Sequence, residues 1–231
     1  LWIWKVPPFS DGIEGCVLGA SKSFGGQVSM KLFFYGSEMV SQSTYPEIEI
    51  VNPEEQEYLQ KIEESMMTVI NQYGIAGLAA PQIGYPLQML VVKLSGGKRM
   101  TLINPQIERM YGSETDYPEG CISCPPGGNQ CYVARMQFIH VVASTIEEPN
   151  RVVDLQFSGW DARLVQHEID HLSGTFFLDR ASVVDKSKVL EQYHQWKRTF
   201  KQGGIEFPCG GNHGSSGHCS TEAQHSRAVA H

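Results

Sequence analysis

Apolar residues recur three or four positions apart at Leu59, Ile62, Met66, Val69 or Ile70, and Tyr73, the spacing that lays one stripe along a helix. Just ahead of them, Asn52-Pro53-Glu54-Glu55 offers a capping side chain, a proline where a missing N–H does no harm, and acids facing the positive dipole end. Together these signals predict a helix over 52–72, with Met66 read as core rather than as a soft contact surface. A second helical pattern starts at Trp160 and runs through Ala162, Leu164, Val165, Ile169 and Leu172, and Gly174 follows where a C-terminal cap belongs. A third helix is expected from about Val183 to Thr199. Elsewhere the pattern is that of strands. Lys31 to Tyr35 and Ile48 to Val51 are short extended pieces, and Leu87 to Leu94 and Met100 to Ile103 form a hairpin around Gly96-Gly97. Tyr132 to Ala143 and Val152 to Phe157 alternate across the Glu147-Glu148-Pro149-Asn150 turn.

A length of 231 residues suits one sizeable core, placed in residues 30–201 where the periodic segments lie. Residues 1–29 read as an extension without the pattern of a secretory signal or transit peptide, and 202–231 as a disordered polar tail. A net charge of -7 excludes a generally basic, DNA-binding protein. Lys186, Lys188, Lys197, Arg198 and Lys201 make the last helix locally basic, a solvated face or a contact for RNA. Runs such as Met89 to Val92 are too short to cross a bilayer. Of the six cysteines, Cys121, Cys124 and Cys131 cluster within eleven residues, which favours reduced thiols over a disulfide framework.

The densest chemistry lies in Gln166-His167-Glu168-Ile169-Asp170-His171. On a helix, His167 and His171 share one face about one turn apart, so two imidazole nitrogens can meet at one ion with Glu168 beside them. A catalytic ion normally takes a third protein ligand and keeps a position for water. Cys121, in Tyr117-Pro118-Glu119-Gly120-Cys121-Ile122-Ser123, is the candidate third ligand. Cys124 raises the alternative of a C-x-x-C redox pair, but Pro125-Pro126-Gly127-Gly128 forbids the helix such a motif needs, so Cys124 and Cys131 read as small residues near the core. The stretch from Gly74 to Gly84 is rich in small residues but lacks the lysine and hydroxyl of a phosphate-binding loop. Two zinc-peptidase patterns compete for the histidines. The metzincin pattern fails because Phe177 stands where its third histidine belongs, whereas a thermolysin-like site with Glu191 as third ligand stays open.

Three blocks, Gly77-Leu78-Ala79-Ala80-Pro81-Gln82, Glu119-Gly120-Cys121-Ile122-Ser123 and Gln166 to Leu172, resemble in this order the peptide deformylase family. The resemblance covers about residues 31–200, Leu102-Ile103-Asn104-Pro105 included. It implies an α+β fold with mixed and antiparallel β-sheets surrounding a central metal-binding helix. By the same resemblance Cys121, His167 and His171 hold one divalent ion, usually Fe2+, with Zn2+, Ni2+ or Co2+ able to replace it. Glu168 is then the general base, and the Gln82 side chain and the Ile122 N–H are the donors to the oxyanion. Gly77, Ile122 and Leu164 fall near the methionine pocket, with Glu119 and Arg135 supporting the ligands from behind. The implied substrates are nascent formylated polypeptides, released with formate. That places the protein in the bacterial cytoplasm, with a mitochondrion or plastid as alternatives and a ribosome contact through the basic last helix. This chain departs from the family at Ile75 or Ala76, where a glycine is usual, at Ile122, where leucine is usual, and in the loop from Cys124 to Gly128. A non-catalytic relative that only binds nascent chains is the remaining alternative, weakened by retention of all five reactive positions.

Overall fold

The computed structural model describes residues 4–5, 28–49, 52–124, 130–199 and 206–209. The expectations for 1–29 and 202–231 fall outside these residues, apart from two short backbone pairings. Strand β1 (Trp4–Lys5) runs parallel to β3 (Ile48–Glu49), and β2 (Val28–Lys31) runs antiparallel to β9 (Glu206–Cys209). The strand expected at Lys31 to Tyr35 ends at Lys31. Beyond it the Phe33 N–H donates to Gln82 O and the Tyr35 N–H to Ser123 O, both at 2.8 Å, so the segment supports the loops of the site instead of joining a sheet.

Between β2 and β3 lies a single helical turn, α1 (Glu38–Ser41), too short to leave a periodic trace in the sequence. Helix α2 (Pro53–Tyr73) starts on a reciprocal cap: the Asn52 side chain accepts from the Glu55 N–H at 2.9 Å, and the Asn52 N–H donates to Glu55 at 3.3 Å. Leu59, Ile62, Met66, Val69 and Ile70 are buried as the stripe predicts. Tyr73, counted in that stripe, is 39% exposed because the helix stops there, at the left-handed Gly74 (φ 62°).

Five antiparallel strands make the main sheet, in the order β4 (Gly77–Ala79), β5 (Met89–Lys93), β6 (Arg99–Glu119), β7 (Cys131–Thr145) and β8 (Val153–Ser158). Among the described strands the parallel pairing is confined to β1 and β3, so the mixed character expected of the sheets lies outside this main one. A 3-10 turn, Ala80–Ile83, links β4 towards β5. The β5–β6 hairpin forms as predicted, but β6 does not stop at Asn104-Pro105. It absorbs the proline with register shifts, starting between Ile103 and Gln106, while Asn104 takes a left-handed backbone (φ 50°). The Asn104 side chain holds this kink by bonding both the N–H and the carbonyl of Ile48, each at 2.8 Å. The functional consequence is that β6 runs on for 21 residues and delivers Glu119, and Cys121 just beyond it, to the middle of the molecule.

Helix α3 (Gly159–Leu172) packs against β4, β5, β7 and β8, burying Ala162, Leu164, Val165 and Leu172 with Leu90, Val92, Ile139 and Val141 of the sheet. Burial of this kind contributes ~25 cal/mol per Å² of apolar surface and fixes which helix face looks inward. Gly174 turns the chain out of α3 with φ 66°, and a Cβ there would sit 2.4 Å from Gln42 O. Helices α4 (Phe177–Arg180) and α5 (Val183–Thr199) close the fold. Among the described residues no helix is long and apolar enough to cross a membrane.

Candidate metal centre

Where β6 ends, the chain turns at Cys121–Cys124, with the Cys124 N–H donating to Cys121 O at 2.9 Å. This turn faces α3. His167 and His171, one helical turn apart, have ring centroids separated by 5.0 Å and nearly perpendicular planes. Ligand atoms of Cys121, His167 and His171 all lie within 4.8 Å of one another, and Cys121 Sγ is 3.2 Å from His171 Nε2. His171 lies against Phe176, and the ring of Phe177 stacks on His167, so the residue that rules out a third histidine forms part of the apolar wall.

The outer nitrogen of His167 is spoken for. Its Nδ1 is 3.0 Å from Glu119 Oε2, which leaves Nε2 for the interior of the cluster. Glu119 in turn receives a guanidinium fork from Arg135, Nε to Oε1 at 2.9 Å and Nη2 to Oε2 at 2.8 Å. Burial pushes the Glu119 carboxyl up, but its bonds to Arg135 and His167 outweigh that and hold it far below the usual carboxylate range. Arg135 also reaches Asp170 at 2.5 Å, and Asp170 is clamped from its other side by Arg180.

Glu168 stands apart from this network. Its carboxyl is buried, Oε2 has no hydrogen-bond partner among the described residues, and burial pushes its pKa to about 7 despite the pull of His167 and Arg135. The two imidazoles are driven in opposite directions. Burial opposes charging both; bonds to Cys121 and Glu119 nevertheless raise His167, while His171 is lowered further by the neighbouring His167 and Arg135 charges. In the metal-free protein these surroundings favour a proton on His167 and disfavour one on His171. A thiolate-capable sulfur, one neutral imidazole and one imidazole oriented by a carboxylate fit a divalent transition metal.

Gln82 occupies the 3-10 turn with its orientation fixed from both ends. Its Oε1 accepts from the Ala79 N–H at 2.7 Å, and its Nε2 donates to Ser123 Oγ at 3.0 Å and towards Cys121 Sγ at 3.4 Å. Ile122 sits in the cysteine turn, its side chain packed on the α2 cluster. Gly77 backs Glu168 so closely that a Cβ would lie 2.5 Å from Glu168 Oε1 and 2.9 Å from Cγ. Gly77→Ala is expected to displace that carboxylate and lower turnover ~100-fold with metal content unchanged, as steady-state kinetics and metal analysis would read.

Leu164, expected at the methionine pocket, belongs to the cluster between α3 and the sheet and backs the site from within the core. Glu191, the third ligand of the thermolysin-like alternative, is exposed on α5 and outside the Cys121–His167–His171 cluster, so that reading is corrected. Cys124 and Cys131 are buried free thiols, raised by burial to about 12 and about 11, and pack with Phe176, Phe177 and Tyr193. Sequence reasoning missed Arg163, Asp170 and Ser123, whose roles depend on partners distant along the chain, and Arg180, which grips Asp170.

A carboxylate of this kind beside converging sulfur and nitrogen donors defines, on an α+β scaffold, a metal-dependent hydrolase. Residues 30–187 match the sequence model of the polypeptide deformylase family. Peptide deformylase of Borreliella burgdorferi is 32% identical over 165 residues, 71% of this chain and 94% of that protein. Peptide deformylase 3 of Streptomyces avermitilis is 36% identical over 136 residues, 53% of this chain and 59% of that relative. Among solved structures, the Synechococcus elongatus peptide deformylase in complex with actinonin superposes with a TM-score of 0.63 at 29% identity, covering 71% of this chain and 86% of that one. The chain belongs to the peptide deformylase family, metal-dependent hydrolases that remove the N-formyl group from the amino end of polypeptides.

Proposed function

We propose that this chain deformylates the amino-terminal methionine of nascent polypeptides through Glu168, Gln82 and an ion held by Cys121, His167 and His171. One observation carries the reading: three ligand atoms within 4.8 Å of one another, beside the buried, unpartnered oxygen of Glu168. A divalent ion held there supplies a Lewis acid and makes water acidic enough to ionise near neutral pH. We assign it as ferrous iron, with zinc, nickel or cobalt as replacements, in keeping with the mixed sulfur and nitrogen donors.

Glu168 takes the proton of the attacking water and returns it to the leaving amine; a carboxyl near 7 is matched to both steps. Gln82, held by Ala79 and Ser123, presents its amide N–H groups on the cysteine side of the site, where the formyl oxygen gains charge, and the Ile122 N–H is the second donor. Gln82→Leu is expected to reduce kcat ~100-fold to 1000-fold with little change in KM, because the interaction strengthens only in the transition state. Gly77 and Ile122 border the place of the methionine side chain.

The match to relatives from bacteria supports the bacterial cytoplasm as the working compartment. Any ribosome contact is assigned to α5, where Lys188 and Arg198 supply basic groups and Lys186 is already tied to Asp179 at 2.6 Å. The test is formate release from formyl-Met-Ala by anaerobically purified protein, with metal analysis of the same sample. Release that tracks bound iron supports the assignment, and iron-loaded protein that releases none overturns it. Inhibition by actinonin would further place the reaction at this centre.

A further inference from the structure

Arg163 lies on α3 one turn before His167, and the two side chains grip opposite oxygens of a single carboxylate. Arg163 Nη1 donates to Glu119 Oε1 at 2.7 Å, while His167 Nδ1 meets Glu119 Oε2 at 3.0 Å. The guanidinium is buried and anchored to the sheet as well: Nη1 donates to Val133 O at 2.7 Å, and Nη2 donates to Thr115 O and, at 3.2 Å, to Thr115 Oγ1. Arg135, the other cation on Glu119, comes from β7. It ties the carboxylate to the sheet and, through Asp170 at 2.5 Å, to the last turn of α3, on the far side of His167 from Arg163.

Glu119 is two residues ahead of Cys121 in the chain, so whatever sets α3 against Glu119 also sets the two imidazoles against the sulfur. Without Arg163, the direct contact from helix to carboxylate would reduce to His167, a residue that must also point its other nitrogen into the cluster, and the remaining bridge, Glu119–Arg135–Asp170, would hold the helix only beyond His167. The contacts at Arg163 and Asp170 bracket His167 along the helix, so together they resist rotation and sliding, and loss of the first frees the amino-terminal side of the ligand pair. We propose that Arg163 is a positioning residue that fixes the register of the metal-binding helix against the cysteine turn, and so tunes how tightly the centre holds its ion. The inference rests on the proposed centre and adds a residue that none of the three family-like blocks contains.

The test uses the full chain loaded with cobalt, read by chelator competition and by the thiolate-to-cobalt charge-transfer absorption. Arg163→Met is expected to bind cobalt ~10-fold to 100-fold more weakly, with a diminished charge-transfer band. Arg163→Lys should recover most of the affinity, since its ammonium reaches Glu119 even though it cannot also bond Val133 O and Thr115. A Met variant within about twofold of the parent with an unchanged band overturns the proposal, as does a Lys variant as weak as Met, whatever happens to thermal stability. If the Met variant does not fold, Arg163→Gln is judged by the same two outcomes. Failure of the parent chain to take up cobalt would defeat the metal centre itself, while equal binding by parent and variant defeats only the role of Arg163.

Discussion

Glu168→Gln is expected to lower formate release by ~100-fold to 10,000-fold while leaving the bound metal in place, and at the same time to make the metal-free protein more stable at alkaline pH. Both effects come from one cause. The carboxyl is buried behind Gly77 with an oxygen that no described residue satisfies, an arrangement useful for moving protons and costly for folding. Burial raises its pKa from 4.5 to about 7, so over that interval the folded chain keeps a proton that the unfolded chain has given up. Stability therefore falls as pH rises from about 4.5 to about 7 and then levels, by about 3 kcal/mol at most. The isosteric amide never ionises and escapes this loss. Denaturant unfolding of both metal-free proteins should show the variant ahead at pH 8 and the gap closing by pH 5. A variant no more stable at pH 8, or one that retains more than a tenth of the parent activity, would remove Glu168 from the role given to it.

Cys121→Ala should empty the centre. Loss of a ligand exceeds the ~10-fold to 100-fold that loss of an outer partner costs, so metal retention should drop by more than ~100-fold and activity with it. Glu191→Ala should keep its full complement of metal, since Glu191 stands exposed on α5 away from the histidines. Measured side by side on anaerobically prepared protein, the pair separates a deformylase from a peptidase-like ligand set. The reverse outcome, metal kept without the thiol and lost without the glutamate, would overturn the assignment of the site. The pH dependence of loading provides an independent check. The metal-free surroundings favour a proton on His167, which an ion bound there displaces, so affinity should weaken as the solution is acidified.

The long helices α2, α3 and α5 were legible along the chain because their signals are local. Asn52-Pro53-Glu54-Glu55 and the Leu59 to Ile70 stripe act within one or two turns, and α2 spans Pro53–Tyr73. The same holds for α5, whose observed span of Val183–Thr199 matches the expectation. The length of β6 was not legible. Asn104-Pro105 reads locally as a break, and only the bonds from Asn104 to Ile48, 56 residues away, show why the strand continues through it. Tyr73 fails for the opposite reason: periodicity continues to the last residue of the helix, but the chain leaves at Gly74 before that position can be covered.

By itself the sequence determined the candidate reacting groups, the spacing of His167 and His171 on one turn, the sulfur that could join them, and a family resemblance carried by three ordered blocks. These follow from bonds and turns that neighbouring residues make with one another. Only the tertiary structure decided that Cys121 meets His171 at 3.2 Å, that Gly77 leaves room for Glu168, and that Leu164 faces the core. Arg163 and Asp170 became parts of the site only when β6, β7 and α3 came together, because a buried charge takes its meaning from partners that lie tens of residues away.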